Sequence, residues 1–239
     1  MEELVVSGKR CMIEETGTVR TVFLWAYHDF SGNGPERLTE KLRGLPSFQD
    51  AAIAAFSISD WDAELSPWEA SAAFEEERFR GNGPETLLWL AGEYLPYLKK
   101  RYPEAERFVP MGYSLAGLFS LWALYETDCF SGCICCSGSL WIEGWDAYQA
   151  SHRLKNRASV YLSLGGKEEK TDNPLMKTVG DRTREQEKFL RRDPNCADCV
   201  LTWNKGGHFA DAEARLARGI QWFMQSSSFS DGVCSTWVR

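Results

Sequence analysis

Three residue types that together can perform acyl transfer occur in this chain in a telling order: a serine on a turn of small residues, a carboxylate in a charged loop, and a histidine in a glycine loop. The serine is Ser114, within the segment Arg107–Trp122, RFVPMGYSLAGLFSLW. A short apolar run leads into Gly112-Tyr113-Ser114-Leu115-Ala116-Gly117, and an apolar helical pattern follows at once. In that strand–turn–helix context a G-x-S-x-G-like pattern acquires a mechanism, because the sharp turn admits only small residues two before and two after the serine. Gly112 and Ala116 meet this condition, the alanine departing from the strict motif but keeping its steric requirement, and Gly117 adds room. The turn would lift Ser114 out of the sheet at the carboxyl ends of the strands, where open α/β sheets bind ligands. At a helix N-terminus, the backbone N–H of Leu115 could then stabilise an oxyanion. The plainer alternative for the same residue is a serine that caps a helix.

A serine hydroxyl needs a base, and histidine suits that task near neutral pH. Of the three histidines, His152 precedes Arg153 and Lys155 and reads as surface, while His28 closes an early strand on the wrong side of the serine in chain order. His208 lies in Lys205-Gly206-Gly207-His208-Phe209, between the last strand and the last helix, and the order Ser, acid, His points to it as the base. The acid is expected in the loop after the preceding strand, Lys167-Glu168-Glu169-Lys170-Thr171-Asp172. Counting from the first glycine after that strand puts Glu168 first, Glu169 next and Asp172 third, since one residue more or less in the loop changes the answer. Such an acid would hold the tautomer and orientation of the imidazole. A second oxyanion donor is expected from a backbone N–H in the loop after the first strong strand, near Asp29 or Phe30, with Phe30 as the candidate. Trp61, Trp68 and Trp141, with Tyr113 beside the serine, are candidates for an aromatic substrate pocket.

The elements that must position these residues are legible as apolar runs of strand length. Thr21–Tyr27, Ala52–Ser57, Arg107–Met111, Cys133–Cys136, Ser159–Leu164 and Cys199–Trp203 read as strands buried on both faces. Between them, Leu87, Ala91, Leu95 and Leu98 form one apolar helical stripe, and Leu216, Ile220 and Phe223 form another. Pro96 should kink the first of these helices, and Pro110 should fall at the last, unpaired position of its strand. Strand–helix alternation of this kind implies a mostly parallel central sheet with helices on both faces. With the serine turn, the fold class expected is the α/β-hydrolase three-layer sandwich, as one domain over residues 1–239. The long irregular stretch from Asp60 to Pro84 reads as a lid or pocket wall.

These segments resemble the putative-esterase group of α/β-hydrolases, which includes esterase D-like and ferric-enterobactin-esterase-like enzymes. The similar stretches are GYSLAGLFSLW, CCSGSLW, LSLGGKEEKTDNP and GGHF, in that order, with SDWDAELSPW and EYLPYLKKRYP upstream. The resemblance runs from about Thr21 to Met224. It implies an esterase in which Ser114, His208 and a loop acid carry the reaction, and the compact size is expected to leave no separate binding domain such as larger siderophore esterases carry.

Composition narrows the alternatives. A net charge of -7 argues against nucleic acid as a partner, since phosphate binding wants a basic surface. No run reaches the roughly 20 apolar residues of a membrane span, and the acidic start MEELVVSGKRCMIEE does not read as a signal peptide, so a soluble cytoplasmic protein is expected. The eight cysteines then read as thiols. Cys196 and Cys199 form a lone C-x-x-C without the second pair a structural zinc site requires, and no metal or organic cofactor is expected. The reaction expected is hydrolysis of a small-molecule carboxylic ester through an acyl-enzyme on Ser114. An acyltransferase with the same residues, or a non-catalytic binding protein, remain as alternatives.

Overall fold

Strands that are apolar on both sides must be covered on both sides, and that requirement organises the molecule. The computed structural model describes residues 1–28, 34–43, 48–71 and 78–225. The chain begins with β1 (Glu2–Val6) and β2 (Lys9–Thr16), then β3 (Thr21–His28), α1 (Gly34–Arg43) and β4 (Ala51–Ile58). Next come α2 (Trp61–Glu64), β5 (Glu69–Ser71), β6 (Arg78–Arg80), α3 (Gly83–Trp89) and α4 (Leu95–Arg101). The second half runs β7 (Arg107–Tyr113), α5 (Leu115–Glu126), β8 (Gly132–Cys136), α6 (Trp145–Ser151), β9 (Ala158–Gly165), α7 (Val179–Leu190), β10 (Cys196–Asn204) and α8 (Ala212–Gln225).

Among the described residues, eight strands form one sheet in the order β1-β2-β4-β3-β7-β8-β9-β10. The β1–β2 and β2–β4 pairings are antiparallel, and every pairing from β4 to β10 is parallel. Side chains alternate across the sheet with the period of two that a strand imposes. On β3, Phe23, Trp25 and Tyr27 pack with Leu38 and Leu42 of α1 and with Leu216, Ile220 and Phe223 of α8. The intervening Val22, Leu24 and Ala26 belong to the opposite core, with α3, α4 and α5. This is the three-layer α/β-hydrolase sandwich. After β3 the chain adds β4 on one side and returns to place β7 on the other, so the carboxyl ends of β3 and β7 flank a topological switch point, where such sheets carry their sites.

All six expected strands are present, each somewhat longer than its apolar run. The amino-terminal hairpin was not foreseen in the sequence: Cys11 and Ile13 are buried in one core, Met12 packs partly buried against the other, and Ser7-Gly8 turn the chain with positive φ at both positions. Pro110 corrects a second expectation. It lies inside β7, opposite Leu24, not at the strand's end. It is tolerated because Phe108, two residues earlier and facing the same way, bonds Ser131, and the ladder to β8 begins only at Met111.

The helix ahead of β7 is interrupted by a π-helical stretch, Leu90–Tyr94, just before Pro96. The wider turn places the proline in the first turn of α4, where its missing N–H costs least. It also shifts the buried stripe, so Leu90 and Tyr94 are buried where Ala91 was expected. The described residues between Asp60 and Pro84 are more ordered than a bare loop. They hold α2, capped by the Asp60 side chain on the Ala63 N–H at 3.1 Å, and the two-stranded ribbon β5–β6. Among the described residues no helix is long and apolar enough to cross a membrane.

Candidate active site

The carboxyl ends of β7, β8, β9 and β10 bring together the residues singled out for chemistry. Between β7 and α5, Ser114 adopts φ 58° and ψ -123°, a conformation that side chains other than glycine's rarely hold. The turn is maintained from both sides: Ser114 N–H donates to the Cys136 carbonyl at 3.0 Å, and its own carbonyl accepts from Leu118 and Ser139. The requirement for a glycine before it is steric, since a Cβ on Gly112 would sit 2.2 Å from the carbonyl carbon of Ala116. Every residue of α5 from Leu115 to Tyr125 is buried, which fixes the helix on which the turn rests. Leu115 is the first residue of that helix, so its N–H has no acceptor one turn back.

His208 reaches this serine from the loop after β10. Its Nε2 lies 3.1 Å from Ser114 Oγ, and its Nδ1 lies 2.9 Å from Glu168 Oε2. Of the three carboxylates left open by the sequence, Glu168 is the one in contact with His208. Glu169 pairs instead with Arg184 at 2.9 Å, and Asp172 is exposed. The loops that carry acid and base are joined by backbone bonds, from Gly166 N–H to the Asn204 carbonyl at 2.8 Å and from Lys167 N–H to the Gly206 carbonyl at 3.0 Å. Space there is tight. A Cβ on Gly165 would lie 2.6 Å from the Gly206 carbonyl and 2.8 Å from Glu168 Oε1.

Glu168 is buried, and burial by itself would push its carboxyl pKa up; hydrogen bonds from His208, Ser137 and the Gly165 N–H outweigh this and hold it below the ordinary 4.5. Oε1 accepts from Ser137 Oγ at 2.7 Å, Gly165 N–H at 2.7 Å and Arg215 Nη1 at 2.8 Å. Sequence reasoning missed Arg215 and Ser137. The visible signal for Arg215 was a charge on the apolar stripe of the last helix, one turn before Gly219 and two before Phe223. Ser139 was missed as well, and its Oγ lies 3.4 Å from Ser114 Oγ.

The expected aromatic pocket needs correction. A cavity of about 260 Å³ beside His208 is lined by Trp141 and Phe209, by Met176 and Val179, and by Lys167 and Lys170. Trp68 does not line it. Its Nε1 donates to the Glu143 carbonyl at 2.8 Å and its ring stacks on Trp145, which anchors the β5 ribbon to the body. Trp61 packs against His28 instead, with ring centroids 5.8 Å apart. Tyr113 is half-buried with its hydroxyl donating to the His208 carbonyl. Burial, the larger effect, pushes that phenol up to about 12, so it remains a donor. Phe30 and Asp29, named for the second oxyanion donor, lie outside the described residues.

A model of the family described as Putative esterase matches residues 29–211. The chain belongs to that family. The match spans the serine turn, the acid loop and the histidine loop. A search of curated proteins returns no match. Among solved structures, the siderophore hydrolase EstB from Aspergillus nidulans superposes with a TM-score of 0.70 at 18% identity, covering 93% of each chain. An IroE-like serine hydrolase from Shewanella oneidensis gives 0.74 at 12% identity, over 90% of this chain and 75% of its own. The enterobactin esterase FES from Shigella flexneri gives 0.64 at 18% identity, over 90% of this chain and 55% of its own. At these identities the likeness establishes the shared fold.

Two predictions follow from the geometry. Strain at Ser114 costs about 1–3 kcal/mol, more than the roughly 0.5–1 kcal/mol that a glycine loses through chain entropy. Ser114→Gly is therefore expected to melt at a higher temperature than Ser114→Ala; equal melting temperatures would show the turn to be unstrained. The second concerns pH. A carboxyl whose pKa is lowered by folding contributes stability that is fully present above its unfolded value and lost as pH falls through the folded one. The stability advantage of wild type over Glu168→Gln, followed by urea unfolding, should be present above about pH 4.5 and shrink as pH falls below it.

Proposed function

We propose that this member of the Putative esterase family is a carboxylic-ester hydrolase that works through an acyl-enzyme on Ser114, with His208 as general base and Glu168 as the acid that orients it. The observation that carries this reading is the continuous line of contacts from Ser114 Oγ to His208 Nε2 at 3.1 Å and from His208 Nδ1 to Glu168 Oε2 at 2.9 Å. In the proposed reaction Oγ attacks the ester carbonyl and Nε2 takes its proton, with the Glu168 carboxylate stabilising the imidazolium. The Leu115 N–H, aimed out of the helix start, offers a hydrogen bond to the developing oxyanion. The proton then passes to the departing alcohol, and water, deprotonated by His208, releases the acid. One side of the ester would occupy the cavity against Trp141, Met176 and Val179. Because siderophore hydrolases share the fold, esters of siderophore type belong first in a substrate screen.

The test is labelling with a fluorophosphonate probe, followed by ester turnover. Labelling is expected in wild type and absent in Ser114→Ala and His208→Ala. Glu168→Gln is expected to lower kcat by about 10⁴-fold, the scale seen when the orienting acid of such a triad is neutralised. A folded wild-type protein that takes up no probe and turns over no ester would contradict the proposal.

A further inference from the structure

Arg215 has no exposed surface, yet it carries a full charge and directs its guanidinium hydrogen bonds into the candidate site. Its Nη1 lies 2.8 Å from Glu168 Oε1, 2.8 Å from Ser137 Oγ and 2.9 Å from Tyr113 Oη, and its Nη2 lies 2.8 Å from the Gly207 carbonyl. One planar group on α8 thus touches the end of β7 through Tyr113, the end of β8 through Ser137, the loop after β9 through Glu168 and the loop after β10 through Gly207. A buried guanidinium is costly unless its charge is paired, and here Glu168 supplies that pairing.

Proton accounting makes the network directional. The one hydroxyl proton of Tyr113 is directed to the His208 carbonyl, which leaves the phenol oxygen to accept from Arg215. Ser137 can give its proton to Glu168 Oε1, and its oxygen shares the two N–H groups of Arg215 Nη1 with Glu168 Oε1 and Tyr113 Oη. With Oε1 engaged by Ser137, Gly165 and Arg215, the carboxylate cannot rotate without breaking three bonds, and Oε2 is the oxygen left for His208. The backbone on both sides of the imidazole is gripped as well, at Gly207 by Arg215 and at His208 by Tyr113.

We propose that Arg215 is a positioning residue for the reaction: it orients Glu168 toward His208, fixes the histidine loop, and offsets the charge of the carboxylate beside the base. This rests on the esterase reading given above. The ionisable groups around His208 are Glu168, Lys167 and Lys170 from the loop after β9, Tyr113 from β7 and Arg215 from α8. Lys167 and Lys170 are exposed and screened by water, whereas Arg215 is buried against the carboxylate. Removing its charge leaves Glu168 to draw a proton onto His208, which disables the base at higher pH than before.

The experiment uses the full chain with a p-nitrophenyl ester as probe substrate, in wild type, Ser114→Ala, Glu168→Gln, Arg215→Lys, Arg215→Met and the double variant Glu168→Gln/Arg215→Met. Arg215→Met is expected to lower kcat by about 10²-fold with KM little changed. It should also move the acid limb of kcat/KM up by about one pH unit. Arg215→Lys, which keeps the charge, should leave the limb in place and recover part of kcat. In the Glu168→Gln background the Arg215→Met change should cost little more, because its effect runs through the carboxylate. Should Arg215→Met alone fail to fold, the double variant, which lacks the unpaired carboxylate, is expected to regain a cooperative unfolding transition. An unmoved acid limb, losses that multiply in the double variant, or a double variant no better folded than Arg215→Met would each overturn the assignment. Wild-type activity in Ser114→Ala would instead overturn the esterase reading itself.

Discussion

A carboxylate buried beneath a histidine is the constraint around which the carboxyl ends of this sheet are arranged. Glu168 is shielded from water and stays ionised through its hydrogen bonds, and each donor comes from a different part of the fold: Ser137 after β8, Gly165 at the end of β9, His208 after β10 and Arg215 on α8. Satisfying that single charge demands that four strands end at the same level and that two loops run close enough to share backbone bonds. Parallel pairing supplies the first condition. Gly165, where a Cβ would meet the Gly206 carbonyl, and Gly206, with its positive φ, supply the second.

The serine answers a different demand. Its turn is strained, and a strained turn persists only where its surroundings over-determine it. Here α5 is buried along nearly its whole length, β7 is clamped between β3 and β8, and Gly112 lets the turn close on Ala116. The apolar residues of the sheet thereby act on the site at one remove: they hold the pieces rigid, and the polar residues at the strand ends aim them.

Much of this was legible in the sequence, for reasons that can be named. Strands buried on both faces are continuous apolar runs, so β3, β4, β7, β8, β9 and β10 stood out, and the serine turn declared itself through its small residues. Position in chain order singled out His208 among three histidines. The hairpin of β1 and β2 was missed because its apolar runs, Leu4–Val6 and Cys11–Ile13, are only three residues long and sit beside pairs of charged residues, a weaker signal than that of strands buried on both faces. The acid could be narrowed only to three neighbours, since adjacent residues of a loop differ in direction and only the folded backbone shows which one turns inward. The tryptophans misled for a related reason. Trp68 has the composition of a pocket wall but spends its N–H and its ring on Glu143 and Trp145. Arg215 showed in the sequence only as a charge on an apolar helical stripe, and its role was hidden because its partners come from four separate segments.

The central claim is that the ester's acyl group passes through Ser114, and rapid-quench mass spectrometry with a p-nitrophenyl ester tests it most directly. The account requires a burst of p-nitrophenol stoichiometric with enzyme and an acyl adduct confined to the peptide that contains Ser114. Steady turnover with no adduct, or an adduct on another residue, would contradict it.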